Sequence, residues 1–306
     1  MGRGSYTARD WASLRKQRGI SSSAAVDSLF QNRTVRSAYD TRYIGLRESR
    51  DSEDSPRSTP IILGFDVTAS MGFLAKELAV NALHKTITAL YEQEIVDNPQ
   101  IMCAAIGDCK SDAYPLQVTQ FEADIRIMKQ LAELCLEGGG GGNGGESYNL
   151  LWHFAGRYTK TDAYEKRQKR GVLITVGNDN CHDGLTASEI SRVFRDRSAY
   201  ALSNEELLRT AGELYDIYHI HIEMGSPQDR EITASWRDLL GGRATVISVK
   251  DIGYLHALLT AIIAIASGKE VNSVLKGIDQ EAAEAIARSV ALLDTTVKTK
   301  ENVISF

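Results

Sequence analysis

Short apolar segments that end in polar loops constrain the fold of this chain most strongly. Three of them, at residues 61–65, 101–106 and 171–176, are apolar apart from Thr175 and too short for buried helices. They predict strands that are buried on both faces, and strand-like runs at 215–223 and 244–249 follow later. Helical patterns separate these runs. The order predicts an α/β fold, with a Rossmann-like, mostly parallel sheet flanked by helices.

The segments between the strands give more specific expectations. Apolar residues at helical spacing predict a long helix over about 70–94 and a second over about 124–136. Residues 116–121 alternate between apolar and polar side chains, which is typical of an edge strand. Ser203 and Glu206 have the spacing of a capping box, which predicts a helix start there.

Charge and composition divide the chain into three parts. Residues 1–57 hold eleven Lys and Arg against seven Asp and Glu, a net of +4, whereas the whole chain carries −5. They include too few apolar residues for a core, so we expect a basic arm and linker that lies on another surface. Residues 58–268 form the main domain. Residues 269–306 form a C-terminal helical extension, whose helix at about 279–293 packs its apolar stripe on the body or on another subunit.

The composition is that of a soluble globular protein, with 43% hydrophobic and 25% charged residues. No apolar run reaches 18 residues, and the N-terminus lacks the apolar core of a signal peptide.

The cysteines form no C-x-x-C pair and are interpreted as thiols of a reducing compartment. We therefore expect a cytoplasmic protein that has no membrane partner, and the net negative charge disfavours a nucleic-acid partner. The cysteines are Cys103, Cys109, Cys135 and Cys181.

The loop after the first apolar run carries the clearest chemical signal. Asp66, Thr68 and Ser70 alternate along a short turn and offer one carboxylate and two hydroxyls. Oxygen donors without a soft ligand suit a hard cation, Mg²⁺ or Mn²⁺. In sheets of this type, ligands bind at the carboxyl ends of the strands, where this loop is placed.

Two further loops are expected at the same edge of the sheet. A glycine run ends in Glu146-Ser147 at a predicted helix start, and Asn178-Asp179 follows the strand at 171–176. Asp108 and Asp112 follow the strand at 101–106, where they either support the site or serve as turn residues. The predicted metal ligands are Asp66, Thr68, Ser70, Glu146, Asn178 and Asp179.

The run Phe65-Asp-Val-Thr-Ala-Ser-Met-Gly72 resembles the D-x-S/T-x-S signature of von Willebrand factor A (vWA) domains. The order of elements over residues 58–268 is similar as well. The resemblance implies a metal-ion-dependent adhesion site, in which one divalent ion keeps a coordination position open for a carboxylate of a partner protein. Residues 65–72, 115–121 and 140–148 are also similar to stretches of bacterial and phage proteins with A domains.

This chain departs from the family pattern in two loops. The family supplies a threonine from the glycine-rich loop, where this sequence has Glu146 and Ser147. It supplies an aspartate directly after the next strand, where this sequence has Gly177 and only then Asn178-Asp179. A glutamate on the ion would neutralise its charge further and weaken its attraction for an incoming carboxylate. The ion is then either adhesive or purely structural.

Other candidate chemistry is weaker. The glycine run at 138–145 resembles a phosphate cradle but lacks a P-loop lysine, so a flexible loop beside the metal site is the preferred interpretation. His219 and His221 lie two apart on a strand and can bind zinc, although the pattern favours core histidines. Cys181-His182 lies at a strand end without obvious partners. The loops offer no Ser-His-Asp arrangement, so we expect no enzyme.

The first functional hypothesis is a metal-dependent adaptor or assembly module that binds a partner protein. The family resemblance suggests a MoxR-type AAA+ ATPase as one kind of partner. The second hypothesis is a structural component of a large assembly such as a phage particle. Virion proteins would then be the partners, the location would be the virion, and the ion would only stabilise the fold. The third hypothesis is an enzyme that binds a phosphate-bearing ligand in the same crevice.

Overall fold

Six strands form the central sheet of the computed structural model, which describes residues 5–139, 144–197, 200–276 and 278–293. The strands are β1 (Thr59–Asp66), β2 (Pro99–Ile106), β3 (Leu116–Val118), β4 (Gly171–Gly177), β5 (Tyr215–Glu223) and β6 (Ala244–Ser248). They lie in the order β6-β5-β4-β1-β2-β3, and all neighbours are parallel except β2 and the edge strand β3. This is the strand order of doubly wound Rossmann-type sheets. The predicted α/β fold class and the predicted edge strand are confirmed.

Helices cover both faces of the sheet. They are α1 (Ala8–Arg18), α2 (Val26–Leu29), α3 (Gly72–Glu77), α4 (Leu83–Glu92), α5 (Arg126–Leu131), α6 (Tyr148–Arg157), α7 (Asp162–Arg167), α8 (Ala187–Phe194), α9 (Asn204–Gly212), α10 (Asp229–Leu240), α11 (Leu255–Ala266), α12 (Val271–Lys276) and α13 (Gln280–Ala291). Ile61, Leu63 and Phe65 share one buried cluster with α3, α4 and α11, whereas Ile62 belongs to a second cluster with α6 and α9. Because β1 is buried on both faces, its sequence is apolar throughout rather than alternating.

The connection from β1 to β2 is less regular than the sequence pattern predicts. A 3₁₀ turn, Ala69–Met71, precedes α3, and a π-helical segment, Leu78–Ala82, separates α3 from α4. Four of the five residues in the π-helical segment are buried, so apolar periodicity does not reveal the change of helical geometry. The second predicted helix is also shorter and is confined to α5. The capping box of Ser203 and Glu206 is present at the start of α9.

The N-terminal arm packs on the body of the same chain. Tyr6, Trp11 and Leu14 belong to the buried cluster that includes β1 and α4. Later in the arm, the short strand Arg47–Ser49 pairs in parallel with Thr159–Thr161. The arm therefore extends the apolar core, although it is too poor in apolar residues to form one alone.

Glu133, just after α5, holds the arm through its carboxylate and its main-chain carbonyl. The hydroxyl of Tyr39 donates a hydrogen bond to its Oε2 at 2.6 Å, and Arg36 pairs with the same oxygen. Asn32 donates to the main-chain carbonyl of Glu133. This contact of the basic arm is thus with a residue of its own chain.

The C-terminal extension is also packed on the body within the described residues. Ile286, Val290 and Leu293 are buried against α11 and β6. The segment Val249–Ala266 contains α11 and has 18 residues with a mean hydropathy of 1.5, so by length and composition alone it could cross a membrane. However, 61% of this segment is buried inside the protein. Its burial identifies α11 as a core helix.

His84 on α4 lies beneath the arm. Tyr6 OH and His84 Nδ1 are 2.9 Å apart, and the Trp11 ring stacks on the imidazole with a centroid distance of 4.9 Å. Burial, together with the positive charges of Arg15 and Lys85, lowers the pKa of His84 to about 4. The docked arm therefore favours the neutral imidazole.

We predict that acid loosens the arm. A free imidazole with a pKa near 6.5 binds a proton before the docked one does, so docking weakens as the pH falls from about 6.5 to 4, by at most about tenfold per pH unit. Hydrogen exchange of the backbone amides of α1 at pH 7.5 and pH 5 measures this. The amides should lose protection at pH 5 in the wild type and not in His84→Gln, compared at matched intrinsic exchange rates. Equal loss in both proteins would contradict the prediction.

Candidate functional site

The loops predicted to bind a cation lie around the point where strand order reverses. β1 and β4 are adjacent, parallel and buried, and the chain leaves them toward opposite edges of the sheet. A crevice forms outside the carboxyl ends of the strands at such a switch point. Asp66 ends β1, and Asn178-Asp179 directly follows β4. The fold therefore brings the first and third predicted loops together.

The first loop is organised around the carboxylate of Asp66. Its Oδ1 accepts hydrogen bonds from the Thr68 amide at 2.8 Å and from the Thr68 hydroxyl at 2.6 Å. Asp66 and Thr68 are buried, whereas Ser70 is exposed on the following 3₁₀ turn. A hydroxyl that donates one hydrogen bond keeps its lone pairs, so Thr68 can still act as a metal ligand.

The second loop places Glu146 in a buried position between the first and third loops. The Glu146 amide donates to the carbonyl of Asn180 at 2.8 Å, and the His182 amide donates to the carbonyl of Glu146 at 3.2 Å. Oε2 of Glu146 is buried and has no hydrogen-bond partner. Residues 140–143 of the glycine run, on which the phosphate-cradle hypothesis depends, lie outside the described residues.

The third loop is partly exposed. Asn178 and Asp179 are half-buried, and the indole Nε1 of Trp236 donates to the Asp179 carbonyl at 3.0 Å. The Asp179 carboxylate accepts a hydrogen bond from the Asn180 amide at 2.7 Å. This carboxylate lies close enough to Asp66 for its charge to raise the pKa of that residue.

Asp108 and Asp112 join the acidic group from the end of β2. The Asp108 amide donates to Oδ2 of Asp112 at 2.7 Å, so Asp112 closes a turn. Asp108 Oδ1 lies 2.9 Å from Nε2 of His182, and Lys110 Nζ lies 3.0 Å from Nδ1 of the same ring. The Cys181-His182 pair therefore has a partner at the site, which the sequence analysis did not identify.

The carboxylates of the acidic group raise one another's pKa values. Burial and the charges of the nearby carboxylates raise the pKa of Glu146 to about 9. Burial is also the largest reason that the pKa of Asp66 rises to about 6, despite its hydrogen bonds from Thr68 and Tyr148. Perturbed carboxylates in a crevice are typical of functional sites. The carboxylates that raise the pKa of Glu146 are those of Asp66, Asp108, Asp179 and Asp112.

Tyr148 is a site residue that the sequence analysis missed. It begins α6 with its ring fully buried, and its hydroxyl donates to Oδ2 of Asp66 at 3.2 Å. A Cβ at Gly177 would lie 1.9 Å from this hydroxyl. The tyrosine therefore fills the space that a side chain at position 177 would need, and only glycine fits at the end of β4.

The residues present suit a hard divalent cation. Carboxylate and hydroxyl oxygens surround the switch point, and the unpartnered Oε2 of Glu146 supplies a buried acceptor. Within the described ranges, no three His, Cys, Asp or Glu side chains converge as metal ligands. A cation would therefore need the hydroxyls of Thr68 and Ser70 beside the carboxylates, or a small inward movement of the loops.

The other histidine candidates are core residues. His219 and His221 are fully buried on β5, and burial lowers the pKa of both imidazoles. His219 stacks on Trp236 with a centroid distance of 3.4 Å. Both are therefore core histidines, which the pattern favoured. All four cysteines are free.

No protein-family model matches the chain, and no curated protein matches it. The pilus adhesin SpaC from Lactobacillus rhamnosus GG, in an open conformation, is 8% identical over 71% of this chain and 31% of its own, with a TM-score of 0.44. Proximal thread matrix protein 1 from the mussel byssus, with a zinc-occupied MIDAS motif, is 11% identical over 72% of this chain and 49% of its own, with a TM-score of 0.42. The chain thus spans less than half the length of either structure. Likenesses this distant carry no argument about function.

We predict that Glu146 destabilises the metal-free protein. Its raised pKa favours the neutral acid in the folded state, so its contribution to stability is complete below about pH 4.5 and is lost as the pH rises toward 9. In EDTA at pH 8, Glu146→Gln should melt a few degrees above the wild type, which corresponds to about 1 kcal/mol in a domain of this size. The difference should shrink toward pH 5. The exposed neighbour Asp183→Asn serves as a control, and a Glu146→Gln protein that melts at or below the wild-type temperature at pH 8 would refute the prediction.

Proposed function

We propose that this chain is a vWA-like, metal-dependent protein-binding module with an adaptor or assembly function. The observation that carries the proposal is the buried carboxylate Oε2 of Glu146, which lacks a partner and lies among further carboxylates at the switch point. Without a counter-ion this carboxyl group keeps its proton at neutral pH, because ionising it in a buried position is unfavourable. A bound divalent cation supplies the counter-ion that allows it to ionise. The site is a modified form of the adhesion site that the sequence resembles.

The proposed ligands are those that the sequence indicates. Thr68 and Ser70 would provide hydroxyl oxygens. The carboxylates of Asp66, Glu146 and Asp179 and the amide oxygen of Asn178 would complete the set after a small inward movement of their loops. Mg²⁺ or Mn²⁺ fits these donors, because both prefer oxygen. When bound, the ion supplies positive charge for a partner group. The exposed position of Ser70 leaves that side open to solvent.

The acidic surroundings limit how strongly such an ion attracts a partner carboxylate. Three carboxylate ligands exceed the charge of one divalent cation. A partner carboxylate would therefore bind only with the help of the surrounding surface. A MoxR-type AAA+ ATPase remains one proposed kind of partner, in the cytoplasm that the cysteines suggest.

The alternative functions have less support. In a structural component, the arm would reach a neighbouring subunit, but Tyr6, Trp11 and Leu14 are buried on their own chain. A virion role with virion partners is therefore the second proposal. A phosphate-binding enzyme would have to place an anion beside Glu146 and four aspartates, which is electrostatically unfavourable without the cation. We accordingly propose that the chain is not an enzyme.

We predict that Mg²⁺ or Mn²⁺ raises the melting temperature and that Asp66→Ala abolishes the shift. A cation at 100 times its dissociation constant stabilises the folded state by about 2.7 kcal/mol, which is several degrees here. The melting temperature should be measured in EDTA and in a Mg²⁺ series. Asp183→Asn removes an exposed carboxylate from the same edge and should retain the wild-type shift. The absence of a wild-type shift with either ion would disprove metal binding.

We also predict that partner binding depends on the site. Immobilised wild-type protein in Mg²⁺ should retain a partner protein, and immobilised Asp66→Ala should retain about tenfold less of it. EDTA should release the partner from the wild type. Asp183→Asn in Mg²⁺ is again the matched control. Quantitative mass spectrometry of the retained proteins gives the ratio for each candidate. A partner retained equally by the wild type and Asp66→Ala would show that this site is not the contact.

A further inference from the structure

A buried group of three aromatic rings lies directly beneath the acidic loops. Tyr148, His219 and Trp236 are at most 1% exposed. They come from three elements, α6, β5 and α10, which the fold brings together at the carboxyl end of the sheet. We refer to these three residues as the aromatic stack.

The two ends of the aromatic stack hold two different site loops. The Tyr148 hydroxyl donates to Oδ2 of Asp66 at 3.2 Å, in the first loop. The Trp236 indole donates to the carbonyl of Asp179 at 3.0 Å, in the third loop. Each bond is donated by the single polar group of an otherwise apolar side chain. The aromatic stack therefore connects the carboxylate of Asp66 to the main chain of Asp179 across the switch point.

The contacts within the aromatic stack fix the distance between its ends. His219 and Trp236 lie face to face, 3.4 Å apart and 9° from parallel. Tyr148 stands edge-on to both rings, with centroid distances of 5.2 Å and interplanar angles of 78°. Edge-to-face contact is a favoured arrangement of aromatic rings. The hydroxyl of Thr175 on β4 lies 2.8 Å from Nδ1 of His219 and fixes the orientation of the imidazole ring.

The hydrogen bonds to Asp66 come from opposite sides. The Thr68 hydroxyl donates to Oδ1 and the Tyr148 hydroxyl donates to Oδ2, so two separate segments of the chain fix the plane of the carboxylate. Gly177 leaves the space in which the Tyr148 hydroxyl reaches Asp66. A phenylalanine would fill the same apolar space without this bond. The hydroxyl therefore does more than pack the core.

We propose that Tyr148 and Trp236 are positioning residues of the cation site, which hold Asp66 and Asp179 at the separation the ion requires. The inference rests on the proposed function, because it concerns the same site. Groups that orient metal ligands in this way typically change metal affinity 10- to 100-fold when they are removed. A site held rigid also discriminates between ions of different size, because Ca²⁺ tolerates longer and more variable ligand distances than Mg²⁺.

The test compares two tyrosines that each lose only a hydroxyl. Tyr148→Phe should bind Mn²⁺ about tenfold or more weakly than the wild type by calorimetry, and its preference for Mg²⁺ over Ca²⁺ should narrow. Tyr215→Phe is the matched control, since Tyr215 is equally buried and its hydroxyl bonds Thr159 at 2.8 Å rather than a site residue. Trp236→Phe is the second variant and should weaken Mn²⁺ binding in the same direction.

The outcomes separate this inference from the proposed function. If the wild type does not bind Mn²⁺, the metal site and the positioning role both fail. If the wild type binds Mn²⁺ and Tyr148→Phe binds it within twofold, the metal site stands and the positioning role is overturned. An equal loss of affinity in Tyr148→Phe and Tyr215→Phe also overturns it, because general loosening of the core would then explain both. Melting in EDTA confirms that each variant is folded.

Discussion

The burial of several like charges at the carboxyl edge of the sheet is the constraint on which the rest of the site depends. Parallel strands that are apolar on both faces bring their ends, and hence Asp66 and Asp179, to a single crevice. Glu146 enters the same crevice from the start of α6. Hydrogen bonds from Thr68 and Tyr148 partly compensate Asp66, but an oxygen of Glu146 has no partner. Such an arrangement is stable in a folded protein when a cation joins it or a carboxyl group keeps its proton.

The two departures from the vWA pattern have a common structural explanation. The end of β4 has no side chain at Gly177, and the hydroxyl of Tyr148 occupies that space. In the proposed site, Glu146, two residues before Tyr148, and Asp179, two residues after Gly177, would supply the negative charge that an aspartate at position 177 cannot. The charge would then be distributed over two loops.

The sequence predicts the sheet and the position of the loop at 66–70 well, because both depend on local patterns. Buried parallel strands need apolar runs, and the predicted ligand loop directly follows one of them. Contacts between residues that are far apart in the sequence leave no local pattern from which they could be predicted. The bond between Asp108 and His182 joins residues 74 apart, and that between Asp66 and Tyr148 joins residues 82 apart. An aromatic residue at a helix start is ordinarily assigned to the core, so nothing in the spacing marks Tyr148 as a site residue.

The location of a bound ion tests the central claim most directly. Crystals of the full chain grown or soaked in MnCl₂ and measured near the manganese absorption edge would give an anomalous difference map. The account predicts one strong peak in the crevice between Asp66, Ser70 and Glu146, within coordination distance of several oxygens. A map with no peak there, at Mn²⁺ concentrations that shift the melting temperature, would contradict it, because the ion would then bind elsewhere.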